Sequence, residues 1–383
     1  MAREFIMPNQ IITGSKALDE AKKSLKNFGK KAMIVTDKVM VELGNCKILE
    51  EALKEENIEY TIFSEIIGEP TNVMIEDGLK QYKKEKCDFL IALGGGSSID
   101  SMKAIASIVE NNGEIADYMG KIIDVKMPPM VAIPTTAGTG SEATQFTIIT
   151  DTKKDIKMLL KGKVLMPNLA VIDPQFTMTA PPKITAATGL DALCHCIEAY
   201  TSKKAQTLSD TFAISAVKRI FKYLPIAFKD GKNEEARIEM SIASLEAGIA
   251  FNNSSVTLVH GMSRPIGALF HIPHGLSNAM LMGECFDFAL LGAYNRFADL
   301  GRAIGITDIS NKDEIIGQKF VEEVKNIIKE LETPTLEEFG VDKEKFLDLI
   351  EKMSYDAMDS GSPQNTIRDI NQDNIKQMYK NLW

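Results

Sequence analysis

Short apolar runs alternate with amphipathic stretches through the first half of the chain, as in parallel sheets with crossover helices. The apolar runs at 32–35, 89–93 and 130–133 have the length of buried strands. The stretches 49–57 and 73–86 repeat their apolar residues at helical spacing and carry charge on the other face. These patterns predict an α/β domain with a parallel, Rossmann-like sheet.

Long helical patterns dominate the second half, at 186–200, 208–223 and 234–251. Pro181-Pro182 is the expected boundary, because two prolines cannot continue a helix and commonly precede one. We therefore predict an α/β domain at 1–181 and an all-helical domain at 182–383.

The 383 residues carry a formal net charge of -9, which argues against binding to the phosphate backbone of a nucleic acid. The N-terminus lacks the apolar run of a secretory signal, and no stretch approaches the roughly 20 apolar residues that span a bilayer. The five cysteines are scattered and odd in number, as expected of reduced thiols in a cytoplasmic protein. We expect neither a nucleic-acid nor a membrane partner.

A run of small residues follows the predicted strand at 89–93 and precedes an amphipathic stretch at 99–109. Backbone N–H groups at such a helix N-terminus point outward and bind anions, and glycines let a pyrophosphate approach closely. The residues of this candidate cradle are Gly94, Gly95, Gly96, Ser97 and Ser98. A simple strand-to-helix turn is the alternative, since neither the dinucleotide fingerprint nor the P-loop spacing is present.

Asp37 follows the predicted strand at 32–35. Its carboxylate is suited to accept hydrogen bonds from an adenosine ribose and to repel the 2'-phosphate of NADP. A turn or helix-capping aspartate is the alternative. Because Asp37 precedes the glycine loop, the order differs from the usual Rossmann plan, and the strand order must bring the two together.

Only four histidines occur, and all lie in the helical half: His195, His260, His271 and His274. Asp191 and His195 are four residues apart in a predicted helix, which places both on one face. His260 and His274 are flanked by glycine or proline and could complete a metal site with them. The alternative for the Asp/His pair is an ordinary core or surface contact.

One carboxylate and three imidazoles suit Fe(II) or Zn(II), and the donor types do not decide between them. Such an ion acts as a Lewis acid on an alcohol oxygen, while hydride chemistry belongs to a nicotinamide.

Four motifs make the chain resemble the iron-containing (group III) alcohol dehydrogenases, relatives in fold of glycerol dehydrogenase and dehydroquinate synthase. The motifs are Gly94-Gly95-Gly96-Ser97 with Asp100, the run Pro134 to Glu142, Ala187 to Leu193, and Pro273-His274-Gly275. The resemblance implies a dehydroquinate synthase-like fold, a domain at 1–181 that binds NAD and a catalytic domain at 182–383. It also implies Asp191, His195, His260 and His274 as the metal ligands.

The same resemblance assigns further residues. It implies that Gly95, Gly96 and Ser97 bind the pyrophosphate and that Asp37 goes with NAD rather than NADP. The residues implied to line the cofactor cleft or the substrate pocket are Thr135, Thr136, Thr139 and Lys157 for the cofactor, and Phe146 and Phe251 for the substrate. The alternatives are an exposed lysine in a lysine-rich run for Lys157, and apolar core for either phenylalanine.

The chain departs from many members of this family at Arg264, where a second histidine commonly follows the third ligand by four residues. His271 is then a candidate for the path of the alcohol proton or a polar pocket wall, beside Asp191 as the acidic catalytic residue; a solvent-facing loop histidine is the alternative. The family also implies a homodimer or higher homo-oligomer, with the segment 5–12 helping to pair subunits.

These features predict a cytoplasmic, metal-dependent, NAD-linked dehydrogenase that interconverts small alcohols and aldehydes or ketones. A polyol or hydroxy-acid dehydrogenase of the same fold, of the 1,3-propanediol, glycerol or lactaldehyde type, is the alternative. A lyase like dehydroquinate synthase needs a more basic pocket than Arg264 and Lys183 supply. A metal-binding protein without catalysis leaves the polar loops of the first half unexplained.

Overall fold

The computed structural model describes residues 2–111, 113–154 and 156–383. They divide into two compact units: Ile6–Ala180, called here the α/β unit, and Pro181–Trp383 with the N-terminal residues up to Phe5, called the helical unit. The predicted fold class, a parallel sheet domain and a helical remainder, is confirmed. Among the described residues, no helix combines the length and apolar character that crossing a bilayer requires.

The described residues of the α/β unit form eight strands. In chain order they are β1 Gln10–Thr13, β2 Lys31–Val35, β3 Glu59–Phe63, β4 Phe89–Gly94, β5 Met130–Pro134, β6 Phe146–Asp151, β7 Ile156–Lys161 and β8 Leu169–Ile172. Six of them form a parallel sheet in the order β1-β8-β5-β4-β2-β3, and β6 and β7 form a separate antiparallel pair.

Five α-helices complete this unit: α1 Ala17–Leu25, α2 Lys38–Glu42, α3 Asn45–Glu55, α4 Asn72–Glu85 and α5 Gly96–Ile108. The central strand β4 is buried on both faces. Leu90 and Ala92 join one apolar cluster, and Phe89, Ile91 and Leu93 join the other, because successive side chains of a strand point to opposite faces. A strand covered on both sides reads as a continuous apolar run, which is why the sequence predicted it.

The strand order places β4 between β5 and β2, so the carboxyl ends of these three parallel strands are neighbours. Gly94 pairs with Pro134, and the Thr135 N–H donates to the Gly94 carbonyl at 3.0 Å. The segments after β2, β4 and β5 therefore meet at one edge of the sheet, the edge where open α/β sheets bind ligands.

The helical unit contains α6 Pro182–Tyr200, α7 Thr207–Lys229, α8 Glu234–Ser254, α9 Leu258–Phe270, α10 His274–Leu290, α11 Tyr294–Ala303, α12 Asp313–Glu330, α13 Leu336–Phe339, α14 Lys343–Asp348, α15 Ile350–Asp359 and α16 Gln372–Asn381. Helix α6 packs against α7, α8, α9 and α10. Its residues are buried on all sides from Gly189 onward, as in a core helix.

Residues 2–5 pack within the helical unit, although the predicted boundary grouped them with the first domain. Arg3 donates to the carbonyls of Lys204 and Ala205, and the Phe5 ring stacks on Phe212 with centroids 5.9 Å apart. The contacts that decide this are separated by about 200 positions in sequence, so no local pattern announces them.

Candidate active site

Three acidic or imidazole side chains share one face of α6. Asp191, His195 and Glu198 are spaced by four and three residues, which brings successive side chains over one another on a helix. All three are buried. Two of them were predicted as metal ligands, whereas Glu198 was not singled out.

His260 in α9 and His274 at the first position of α10 converge on Asp191. The Asp191 Oδ1 atom lies 4.0 Å from His195 Nδ1, 3.6 Å from His260 Nε2 and 3.8 Å from His274 Nε2. The His195 and His260 rings stack with centroids 4.4 Å apart. The structure thus brings together the four residues predicted from sequence, from three helices.

This donor set fits a divalent cation. Donor atoms bound at about 2.1 Å in a tetrahedral site lie about 3.4 Å apart, close to the separations seen here. His195 Nδ1 is buried and has no hydrogen-bond partner among the described residues, which is costly unless an electrophile takes its lone pair. His274, with 44% of its side chain exposed, leaves the site open on one side.

Asn278 lies among the same donor atoms and was missed by the sequence reasoning. Its Nδ2 donates to Asp191 Oδ1 at 2.7 Å and lies 3.2 Å from Nε2 of both His260 and His274. It follows His274 by one helical turn, so the spacing that identified Asp191 and His195 would also have identified this pair. The amide nitrogen thus lies within hydrogen-bond distance of three of the four candidate ligand residues.

Glu198 holds His260 from the side opposite to Asp191. Its Oε2 lies 2.6 Å from His260 Nδ1, while its Oε1 accepts from the Thr257 hydroxyl at 2.9 Å and the Val259 N–H at 2.6 Å. A carboxylate at Nδ1 fixes the proton there and leaves Nε2 as the free donor atom. Glu198 therefore orients His260 toward Asp191.

The charges in this cluster favour an ionised Asp191 carboxylate beside a neutral His195 ring. Burial tends to raise the pKa of Asp191, but the surrounding histidines, His195 first, hold that pKa well below its usual range. Burial lowers the pKa of His195 to about 3. Burial tends to lower the pKa of His260, but the adjacent Glu198 charge raises it to about 9. Burial likewise opposes ionisation of Glu198, yet the His260 charge lowers its pKa.

Three other predicted residues lie in the helical unit. The Phe251 ring stacks on His195 with centroids 4.2 Å apart, so it contacts a predicted ligand directly. Arg264 is half-buried in α9. His271 ends α9 in the left-handed region (φ 54°) and is exposed.

In the α/β unit, the glycine loop forms a tightly packed cradle. Gly95 precedes α5, and no side chain among the described residues accepts a hydrogen bond from the first N–H groups of this helix. A Cβ on Gly96 would lie 2.9 Å from Thr139 Cγ2, and one on Gly94 would lie 2.3 Å from Ser98 Oγ. Only glycine fits at these two positions without a shift of the neighbouring side chains.

The remaining cradle candidates lie around this loop. A Cβ built on Gly95 would contact Thr136 Oγ1 at 3.3 Å, and Ser97 lies in the first turn of α5. Thr135, Thr136 and Thr139 thus surround the glycines, as the resemblance implied for residues that line a cofactor cleft.

Asp37 caps a helix and also lies beside the glycine loop. Its Oδ1 caps α2 by accepting from the Met40 N–H at 3.0 Å. Its Oδ2 lies 3.7 Å from the position of a Cβ on Gly94, which places the carboxylate beside the glycine loop. The sheet order therefore brings Asp37 and the later loop together.

A buried lysine supports the loop after β5, and the sequence reasoning did not include it. The Lys103 ammonium donates to the carbonyls of Ser141, Thr144 and Phe146 at 2.6, 2.9 and 3.0 Å. Burial lowers the pKa of Lys103 to about 8 and raises the pKa of the nearby Glu142 to about 7. The signal available in the sequence was a lysine in a helix whose other residues, apart from Asp100, are apolar or small.

Lys157 and Phe146 lie on the antiparallel pair. The Lys157 ammonium pairs with Glu69 at 2.6 Å, and Lys161 Nζ lies 5.4 Å from the Phe146 ring centroid. The described contacts of Lys157 and Phe146 therefore do not include the glycine loop.

Family models match nearly the whole chain. The model described as "Iron-containing alcohol dehydrogenase" matches residues 8–174, and the one described as "Fe-containing alcohol dehydrogenase family, C-terminal" matches residues 185–383. The chain belongs to the iron-containing alcohol dehydrogenase family. The resemblance inferred from the motifs is confirmed, and the protein is an oxidoreductase that acts as an alcohol dehydrogenase.

Relatives of this dehydrogenase act on different alcohols. The choline dehydrogenase of Bacillus subtilis (strain 168) is 35% identical over 384 residues, 99% of this chain and 94% of that protein. The NAD-dependent methanol dehydrogenase of Bacillus methanolicus is 35% identical over 373 residues, 96% and 98% of the two chains. A solved 1,3-propanediol oxidoreductase superposes with a TM-score of 0.97 at 30% identity, covering 100% of both chains. Membership in the family therefore leaves the substrate undetermined.

Proposed function

We propose that this dehydrogenase uses NAD and a divalent cation, Fe(II) or Zn(II), to interconvert small alcohols with aldehydes or ketones. The observation that carries the proposal is the convergence of three imidazoles on Asp191 Oδ1 at 3.6–4.0 Å. Asp191, His195, His260 and His274 would hold the cation. Bound there, it would act as a Lewis acid on the alcohol oxygen, and the nicotinamide would accept the hydride.

The chain's own groups prepare this chemistry. Glu198 fixes His260 with Nε2 toward Asp191, and Phe251 covers the His195 ring. Oxidation moves two electrons: the carbon-bound hydrogen leaves with its electron pair for the nicotinamide, and the hydroxyl proton goes to solvent. We propose His271 as the path of that proton, which its exposed position at the end of α9 permits.

We propose that the cofactor binds at the carboxyl edge of the sheet. Gly94, Gly95, Gly96, Ser97 and Ser98 would bind the pyrophosphate through the N–H groups of α5, because a helix N-terminus attracts anions. The residues that would line the cleft are Thr135, Thr136, Thr139 and Lys157, with Phe146 and Phe251 as substrate-pocket walls. Asp37 would bind the adenosine ribose and favour NAD, as in the relative named an NAD-dependent methanol dehydrogenase.

The proposal extends to compartment and assembly. The five cysteines are buried and free, which supports a reducing cytoplasm. A homodimer, with 5–12 near the subunit contact, remains our expectation from the family.

The test is anaerobic oxidation of NADH or NADPH against small aldehydes and ketones. Metal-stripped protein is assayed with Fe(II), with Zn(II) or without added metal. We expect turnover that depends on added metal and prefers NADH. Absence of turnover under every condition would contradict the proposal and favour a lyase like dehydroquinate synthase.

A further inference from the structure

The guanidinium of Arg264 has no hydrogen bond or ion pair with any residue at 2–111, 113–154 or 156–383. The carboxylate that acts on it electrostatically, Glu198, is already engaged by Thr257, Val259 and His260. Arg264 is also half-buried. A partly desolvated cation without a counter-ion is costly in a folded protein, so this arginine is available for an anion from outside the chain.

The position of Arg264 connects it with the proposed metal site. His260, Arg264 and Gly267 follow one another at intervals of four and three residues, which places them along one side of α9, and His271 follows the last residue of that helix. Exposure increases along this row, from 4% for His260 through the half-buried Arg264 to the exposed His271. Arg264 thus lies one turn beyond His260, about 6 Å along the helix axis, toward the exposed C-terminal end of α9.

The local charge balance favours an anion at that point. Two carboxylates, Asp191 and Glu198, flank His260 and carry two negative charges when they are ionised. A bound divalent cation would neutralise these two. Burial lowers the pKa of Arg264 from its ordinary value, but a guanidinium remains protonated at physiological pH. Its positive charge would therefore be uncompensated in the metal-loaded enzyme.

We propose, as an extension that rests on the proposed function, that the substrate is a short aldehyde with an anionic group, such as a carboxylate, bound by Arg264. The fork of N–H donors on a guanidinium matches the two oxygens of a carboxylate. The rise of one turn between His260 and Arg264, about 6 Å, is comparable to the length of a few carbon atoms between the carbonyl and the anion. The reaction keeps its balance: NADH gives a hydride to the carbonyl carbon, and the oxygen takes one proton.

The experiment compares substrates of matched shape and different charge on the metal-loaded enzyme. The probes are 4-oxobutanoate, its neutral methyl ester, and choline as a cationic alcohol. We expect kcat/KM for the acid to exceed that for the ester by about ten- to hundredfold, the range expected for a charge-assisted hydrogen bond. We expect choline to be the poorest of the three substrates. Its kcat/KM should also be lower than that of 3,3-dimethylbutanol, its uncharged analogue.

Two substitutions at position 264 test whether Arg264 causes the preference for the acid over the ester. Arg264→Gln should lower the acid-to-ester ratio by about tenfold or more, chiefly through KM for the acid, and Arg264→Lys should restore part of it. Lys345→Gln is the matched control, because it removes an exposed cation at the Phe270 ring, outside the row on α9. Metal content and melting temperature are measured for each variant.

Several results would overturn the inference. A wild-type enzyme that reduces the ester as well as the acid, or that prefers choline, would refute an anionic substrate while leaving the dehydrogenase proposal intact. A rise in KM for NADH in Arg264→Gln, equal for acid and ester, would assign the arginine to the cofactor instead. No reduction of any aldehyde by metal-loaded enzyme would overturn both proposals.

Discussion

At the scale of the residue, the Asp37 side chain has a structural contact and also lies next to the proposed cofactor site. One carboxylate oxygen caps α2 and the other lies beside the glycine loop. A substitution that removes the whole side chain would therefore mix loss of a helix cap with loss of charge. Asparagine separates the two effects, because it retains an oxygen that can accept from the Met40 N–H.

We expect Asp37→Asn to raise the NADP-to-NAD ratio of kcat/KM by about tenfold, equivalent to about 1.4 kcal/mol. The reason is that the 2'-phosphate no longer meets a negative charge. Steady-state kinetics with both cofactors measure the ratio. Asp77→Asn, an exposed carboxylate on α4, serves as the control. An unchanged ratio in Asp37→Asn would leave Asp37 with its capping role alone.

His274 differs from the other predicted ligands because its side chain is 44% exposed. We expect His274→Ala to lose the bound metal and turnover while keeping the fold, since little apolar surface is uncovered. Elemental analysis after dialysis and circular dichroism measure the two quantities. His271→Ala, which removes an exposed histidine three residues earlier, should keep its metal. Full metal content in His274→Ala would remove His274 from the ligand set.

At the scale of the element, α6 and α9 fix the site through Glu198. The carboxylate accepts from backbone and hydroxyl groups at the start of α9 and at the same time contacts His260 Nδ1. The contact between these two helices and the orientation of the imidazole are therefore set by one side chain. The role is one of positioning.

We expect Glu198→Gln to weaken metal binding by about ten- to hundredfold. A glutamine amide that donates to His260 Nδ1 would shift the ring proton to Nε2, the atom that faces Asp191. Competition with a chelator measures the affinity independently of activity. Glu246→Gln is the control, since Glu246 is a largely buried carboxylate that bonds Ser215 instead. Equal losses in both variants would indicate general destabilisation.

At the scale of the whole molecule, each unit contains its own candidate site. The cofactor candidates lie in the α/β unit, and the four candidate metal ligands lie in the helical unit. A ligand that binds the folded form slows local opening of the elements that hold it. The two ligands should therefore protect different parts of the chain.

We expect a divalent cation to protect amides of α6, α9 and α10, and NAD to protect the first turn of α5 and the loop after β5. At a ligand concentration a hundred times Kd the stabilisation is about 2.7 kcal/mol, or roughly a hundredfold in exchange rate. Hydrogen exchange with mass spectrometry measures this by segment. Protection of α5 by metal alone, without NAD, would contradict this assignment of ligands to units.

Much of the fold followed from periodicity, and the failures have physical causes. The buried strands β2, β4 and β5 were predicted because both faces are apolar. The short edge strand β1 is only half-buried, so it lacks that signal. Strand β7 was interpreted as part of a lysine-rich run, because Lys157 and Lys161 lie on its exposed face while Met158 and Leu160 are buried.

The sequence alone determined the candidate ligands, since Asp191 and His195 lie one helical turn apart and the rare histidines stand out. It also determined the glycine loop, because a strand-to-helix turn that carries three glycines admits close approach of backbone to an anion. Only the tertiary structure decided that His260 and His274 meet Asp191 and that Glu198 and Asn278 surround them. It also decided that Arg264 has no hydrogen-bond or ion-pair partner among the residues that the structure describes. These facts depend on contacts between distant helices, and a spacing rule extends no further than one element.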